Sequence, residues 1–263
     1  MRESISDDEL AAAVDANYWA SFSMLAEACA GAVLRRDDVL AVSTGLPVPM
    51  LNQGFIKKPL GGREEPIRDM VEFYDAAGVP FILRVREGVD PEAEKSMEAM
   101  GLPYSDTVPG MAMFPIGDPP PPCEGLSIET VADQRSLARY QRVLAEGFGM
   151  PLALAERLMA PAVLQVPGFE SYLGVMDGEA VGTSSMYAGN GIAGVYNVAT
   201  LASHRRQGIG EAMTWRAVTQ GHEDGCTTAT LQASVMGKPV YERMGFRTVA
   251  PYRTFHRRAK EGS

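Results

Sequence analysis

Two arginines and two spaced glycines form the most reactive-looking stretch of the chain, Ala202-Ser203-His204-Arg205-Arg206-Gln207-Gly208-Ile209-Gly210. A β-branched run, Val195-Tyr196-Asn197-Val198-Ala199-Thr200-Leu201, precedes it. A segment from Glu211 to Gln220, with Ala212, Trp215, Ala217 and Val218 at helical spacing, follows. The order predicts strand, basic glycine-containing turn, helix N-terminus. Such a helix start presents unpaired amides and the positive end of a dipole, and the glycines admit a bulky anion close to the backbone. The chemistry would be phosphate binding. The plainer alternative is a tight turn with solvated arginines.

The elements needed to position such a loop can be read on both sides of it. A second strand candidate, Thr227 to Ala233, leads into a short helix containing Pro239-Val240-Tyr241-Glu242-Arg243-Met244-Gly245-Phe246. Upstream, Leu126 to Val131 reads as a strand. Asp133 caps a helix through Leu137, Tyr140, Val143 and Leu144, which Gly147 to Pro151 breaks, and another helical stretch runs from Leu152 to Leu164. Three strands follow, joined at Asp177-Gly178 and Asn190-Gly191, both two-residue hairpin signals.

The spacing Arg205-x-x-Gly208-x-Gly210 after a β-run resembles the acyl-CoA pyrophosphate loop of the GNAT acyltransferase superfamily. The later Tyr241-x-x-x-Gly245-Phe246 is similar to the family's tyrosine ending. The resemblance covers the chain from about Leu126 onward. It implies an α/β (α+β) fold with a mixed, largely antiparallel sheet, and acetyl-CoA as co-substrate. It also implies that Val198 and Thr200 offer backbone contacts to the pantetheine arm. An N–H at Val198 or Ala199 would face the thioester oxygen. Arg205, Arg206, Gln207, Gly208, Ile209 and Gly210, with Glu211 and Ala212, would receive the pyrophosphate through their amides. Tyr241 matches the tyrosine that protonates the departing CoA sulfur, its alternative being an aromatic packed beneath Phe246. Many relatives carry Asn seven residues before that tyrosine, where this chain has Ser234. No general base stands out; Glu170, Tyr196 and Asn197 are positional candidates. Phe148, Leu164 and Phe169 fall where the family borders its acceptor cleft, or else belong to the core.

Composition narrows the rest. The chain has 263 residues, a net charge of −9 and ordinary globular hydrophobicity, 46%. An acidic chain is a poor general nucleic-acid binder, although one basic loop remains compatible with it. Cys29, Cys123 and Cys226 are too sparse for a disulfide framework, and three isolated histidines do not make a metal site. The acidic N-terminus lacks an apolar signal region, and no run is long enough to span a bilayer. The expectation is a cytoplasmic protein, monomer or homodimer, acting on an amine of a small molecule or peptide without metal, membrane or nucleic acid.

The proline run Asp118-Pro119-Pro120-Pro121-Pro122 predicts a stiff linker. The expected division is residues 1–117, a linker at 118–124, and residues 125–263. Before the linker, Ser6 and Glu9 make a capping box for an amphipathic helix. Ala32-Val33-Leu34 and Val39 to Val42 make a hairpin around Arg35 and Arg36, and Ile67 to Tyr74 a helix ending near Gly78. A strand at Val79–Val85, a helix at Pro91–Met100 and two extended pieces reaching Phe114 complete a layout resembling the second half. The N-terminal half then reads as a degenerate GNAT-like domain lacking the basic loop, or as an unrelated α/β cap. Lys57-Lys58-Pro59-Leu60-Gly61-Gly62-Arg63 is basic but has no β-run before it, which favours a flexible loop.

Two other motifs lose to their context. Gly189-Asn190-Gly191-Ile192-Ala193-Gly194 fits a dinucleotide fingerprint, but β character follows where a helix should stand. Gly182-Thr183-Ser184-Ser185-Met186 lacks the closing glycine of a nucleophile elbow. The basic loop lacks the Gly-Lys-Ser/Thr ending of a nucleoside-triphosphate site. The rivals are therefore an acetyl-CoA-dependent N-acetyltransferase, a relative moving a longer acyl chain or acylating a hydroxyl, and a catalytically weak acyl-CoA sensor or scaffold.

Overall fold

A computed structural model describes residues 5–257. The described residues form two compact units, one of residues 5–21 and 110–249, the other of residues 22–109 and 250–257. In order, the elements begin with α1 (Asp7–Ala28), β1 (Ala32–Arg35), β2 (Val39–Ser43), β3 (Asn52–Ile56) and α2 (Glu65–Ala77). Then come β4 (Ile82–Arg86), α3 (Pro91–Ala99), β5 (Tyr104–Met113), β6 (Leu126–Thr130), α4 (Gln134–Phe148) and α5 (Leu152–Leu158). The chain continues with β7 (Phe169–Met176), β8 (Glu179–Gly189), β9 (Ile192–Thr200), α6 (Ile209–Glu223), β10 (Thr228–Gln232), α7 (Lys238–Arg243) and β11 (Arg247–Phe255).

In the first unit β6, β7, β8 and β9 pair antiparallel in sequence order. The turns are those the dipeptides demand: Asp177 and Gly178 have φ of 51° and 81°, Asn190 and Gly191 of 54° and 75°. Strand β10 joins β9 in parallel, a pairing that needs a crossover, and α6 is that crossover. Residues 110–113 of β5 then pair antiparallel with β10. The α6 side of this sheet is filled by Met186, Val195, Met213, Trp215, Val218, Leu231 and Phe246.

The second unit runs β1, β2, β3, β4 and β11. All pairings are antiparallel except β3 with β4, whose crossover is α2. Its core gathers Val39, Ile67, Met70, Tyr74, Leu83, Met97 and Phe255. Residues 110–113 of β5 thus belong to the first unit and residues 250–255 of β11 to the second. The proline-rich stretch lies within the first unit.

Several local expectations were met and others corrected, among them the helical stretch from Leu152 to Leu164, which is α5 and a separate 3-10 turn at Pro161–Gln165. Ser6 and Glu9 close the capping box of α1, with Ser6 N–H donating to Glu9 Oε2 at 3.0 Å and Glu9 N–H to Ser6 Oγ at 3.2 Å. Asp133 caps α4 and exchanges a second bond with Ser136. However, β5 is one strand rather than two extended pieces, and β3 was not foreseen. Asn52-Gln53-Gly54 looks polar, yet all five residues of β3 are buried. Asn52 satisfies its amide internally, donating to the carbonyls of Leu46, Val48 and Pro80. The Lys57–Arg63 loop thus does follow a strand and precede a helix.

Candidate acyl-CoA site

The site is built where β9 and β10 part. Their ladder has three rungs, ending at Gly194 opposite Thr230, while β9 continues to Thr200. Among the described residues this edge of β9 has no ladder partner beyond Gly194, which leaves room for an added strand-like chain.

A bulge accompanies the parting. The β8–β9 register slips between Thr183 and Ser185, and Asn197 takes φ of 53°. Val195 and Val198 pack toward α6. Ala199 faces α4, since a Cβ placed on Gly147 of α4 would lie 2.6 Å from its methyl group. The extra residue thus turns the strand's end without losing either face. Thr183 Oγ1 donates to the Asn197 carbonyl at 2.8 Å, and Asn197 Nδ2 reaches Ser185 Oγ at 3.4 Å. Ser185 is also bonded to Tyr140 at 2.7 Å and Ser171 at 2.9 Å, all buried. Burial raises the Tyr140 hydroxyl to about 12, so it stays protonated within this network. Of the two β8 serines, Ser185 supports the bulge and Ser184 instead donates to the Met213 carbonyl of α6 at 2.7 Å.

At the end of β9, a 3-10 turn (Ala202–His204) leads to Arg205, Arg206, Gln207 and Gly208, all exposed. Arg206 and Gly208 hold φ of 66° and 81°, the alternation that lets successive amides converge. No side chain caps α6. Its first α-helical bond runs from Ala212 N–H to the Gly208 carbonyl at 3.0 Å, leaving the amides of Ile209, Gly210 and Glu211 beyond the reach of the helix's own carbonyls. Ile209 offers only its amide, since its side chain is core. Gly210 lies against Thr200, where an added Cβ would sit 3.5 Å from Oγ1. Arg205 Nε donates to the Thr200 carbonyl at 3.3 Å, tying loop to strand. The proline-rich stretch is tied in too, Cys123 Sγ lying 3.3 Å from the Gln207 carbonyl at one end of a cleft of about 610 Å³ along α6.

Tyr241 of α7 meets Phe246 edge-on, with ring centroids 6.1 Å apart, and its hydroxyl bonds to Thr214 in the second turn of α6. Burial raises that hydroxyl above its ordinary range, which the Thr214 bond offsets in part. The ring packs and the hydroxyl reaches α6. Ser234 is exposed, and its Oγ accepts the Gly237 N–H at 3.1 Å, closing the β10–α7 turn.

The other candidates separate. Glu170 accepts from Tyr172 at 2.8 Å, and Arg216 lies over that ring at 4.4 Å, so this carboxylate belongs to a cluster on the α6 side. Tyr196 donates to Asn17 Oδ1 at 2.6 Å, and burial raises its hydroxyl well above the tyrosine range. Phe169 is buried, Leu164 half-buried, and Phe148 exposed beside Gly147 at the end of α4. Asn17 was missed: residues 179 apart meet, and Gly194 has no side chain because an added Cβ would lie 1.8 Å from Asn17 Oδ1. Among the described residues no group of three or more His, Cys, Asp or Glu is placed to hold a metal ion, and no helix is long and apolar enough to cross a membrane.

Comparison with known proteins bears on this geometry. Residues 153–257 match the family model of the acetyltransferase (GNAT) domain. A search of curated proteins gave no match. Among solved structures, a GCN5-related N-acetyltransferase from Kribbella flavida superposes with a TM-score of 0.70 at 20% identity, over 92% of this chain and 95% of that one. Another from Sphaerobacter thermophilus gives 0.62 at 18%, over 83% and 76%. A tandem GNAT protein from the clavulanic acid biosynthesis pathway gives 0.54 at 16%, over 85% and 80%. These likenesses define an acetyltransferase fold. The GNAT acetyltransferase domain, whose family uses acetyl-CoA, is thus matched over residues 153–257.

Proposed function

We propose that the chain is an acetyl-CoA-dependent N-acetyltransferase acting on an amine of a small molecule or peptide. The observation that carries this is the parting of β9 from β10 directly before an uncapped helix N-terminus. The free edge of β9 at Val198 to Thr200 would pair with the pantetheine arm, and the Val198 or Ala199 amide would face the thioester oxygen as it gains charge. The amides of Gly208, Ile209, Gly210 and Glu211, with Arg205, Arg206 and Gln207, suit a pyrophosphate, whereas the expected Ala212 amide is spent on the Gly208 carbonyl. Ser234 would contribute through the β10–α7 turn that it closes. Bound there, acetyl-CoA would supply the thioester: the new C–N bond forms as C–S breaks, the sulfur leaves with the electron pair, and the amine nitrogen gives up its proton to water, from which Tyr241 is reprotonated. Tyr241, protonated because it is buried, would give that sulfur its proton. We further propose that the sequence is a tandem of GNAT-like halves, residues 1–117 and 125–263, which have exchanged their last strands.

One observation favours a weaker, sensor-like protein. Glu170 is spent on Tyr172, and no other candidate carboxylate was placed at the parted strands. Calorimetric titration of acetyl-CoA, followed by thiol release with an amine panel, separates the readings. Micromolar binding with amine-dependent release supports the enzyme, binding without release supports the sensor, and no binding removes both.

A further inference from the structure

The face of β10 turned away from α6 holds two polar atoms without hydrogen-bond partners. Ala229, Leu231 and Ala233 belong to the α6-side core, so Thr228, Thr230 and Gln232 take the opposite face. Thr230 is fully buried, and neither its Oγ1 nor Gln232 Nε2 has a partner. Their neighbours across the sheet offer no side-chain help. Thr230 stands between Gly194 and Ala112, and Gln232 stands opposite Gly110. Nearby polar groups are already engaged: Tyr196 with Asn17, Asn197 with Ser185, and Ser185 with Tyr140 and Ser171.

Position gives these two atoms a use. Thr230 is the last rung of the β9–β10 ladder, and Gln232 stands two residues beyond it, beside the gap. Helix α6 fills one face of the sheet and Asn17 of α1 lies over Gly194 on the other, so a nucleophile reaching a thioester in the gap would enter on that second face beyond Asn17, toward Gln232. A buried donor without a partner is costly until something accepts from it. Nε2 can only donate, and a threonine hydroxyl can donate as well. The group that satisfies both is an oxygen on the incoming molecule.

We propose that Thr230 and Gln232 orient the acceptor, and that the acceptor is a primary amine bearing a hydroxyl, carbonyl or carboxylate oxygen a few bonds from its nitrogen. This rests on the acetyl-transfer reading. An amine lacking that oxygen leaves both groups unpaired and is discriminated against, as in sites built to bond a substrate's polar group.

The test is kcat/KM with acetyl-CoA for ethanolamine, glycinamide and alanine against propylamine and butylamine. In the wild type the oxygen-bearing amines lead. Thr230→Val and Gln232→Leu each lower their kcat/KM by about tenfold or more, with the alkylamines unchanged. Acetyl-CoA affinity is unaltered, and Tm holds or rises because an unpartnered polar atom is gone. The ranking among hydroxyl, carbonyl and carboxylate identifies the oxygen. Equal turnover of alkylamines by the wild type, or variants that lower every amine together with Tm, overturns the inference while leaving acetyl transfer intact. A wild type that binds no acetyl-CoA overturns both.

Discussion

The two units share a plan and differ at one joint. In each, an antiparallel hairpin leads to a strand, a crossover helix and a parallel partner: β2, β3, α2 and β4 in one, β8, β9, α6 and β10 in the other. The β3–β4 ladder keeps four rungs through Ile56, the last residue of β3. Gly54 sits so close to Leu83 that an added Cβ would lie 2.5 Å from its Cδ2. In the other unit β9 bulges at Asn197 and leaves β10.

The loops differ in the same sense. After β3, Arg63 pairs with Asp38 at 2.9 Å, Lys57 donates to the Arg36 carbonyl at 2.5 Å, and Arg36 pairs with Asp69. Helix α2 then opens with Glu64, Glu65 and Pro66, which place negative charge and a missing N–H where an anion would bind. After β9, the arginines are exposed and the helix start carries no side-chain cap. The proposed anion site thus differs from its counterpart in having parted strands, exposed arginines and a helix start without a side-chain cap.

The comparison is broken first through binding. Arg206→Glu with Gly208→Asp should weaken acetyl-CoA binding by about 100-fold or more, close to 3 kcal/mol. Lys58→Glu with Arg63→Glu should leave it unchanged, and calorimetry on the two double variants checks this. Loss in the second would mean that the N-terminal unit holds the donor.

Next comes chemistry. Tyr241→Phe should lower kcat by about 100-fold while acetyl-CoA affinity stays put. Because burial holds the Tyr241 hydroxyl above its ordinary value of 10.0, loss of this proton should not lower kcat until the pH exceeds that value. Single-turnover rates from pH 8 to 11 would show a lower limb if the tyrosine ionises earlier.

Packing effects are smaller. Gly147→Ala and Gly54→Ala each overfill a contact and should cost about 1–3 kcal/mol in denaturant melts. Only Gly147→Ala presses on β9 at Ala199, so it alone should also raise the KM for acetyl-CoA.

The smallest effect lies in the loop after β3. Burial raises the Asp38 carboxyl but is outweighed by the Arg63 hydrogen bond, the Asp38 amide and both arginine charges, so its pKa is lowered. Its contribution is present above the unfolded carboxylate's pKa and fades as pH falls through the lower folded value. Arg63 is half exposed, so Asp38→Asn should cost about 1 kcal/mol or less at pH 7, and less again in acid.

Short-range order was legible in the residues themselves. Ser6 with Glu9, Asp133, Asp177-Gly178 and Asn190-Gly191 each act on a backbone a few residues away, and the loop from Arg205 to Gly210 presents its own amides. The order and spacing of two motifs, Arg205 to Gly210 and Tyr241 to Phe246, carried the resemblance to the GNAT family and marked the strand-loop-helix candidate. Tertiary structure decided the rest. It set which unit receives β5 and β11, the burial of Asn52 in β3, the meeting of Asn17 with Tyr196, and the commitment of Glu170 to Tyr172. It also decided that Thr230 and Gln232 would lie unpartnered beside the gap. The physical reason is distance along the chain. A cap or hairpin turn is specified by neighbours. A strand's partner, and the side-chain face reset by a bulge, depend on residues that only folding brings together.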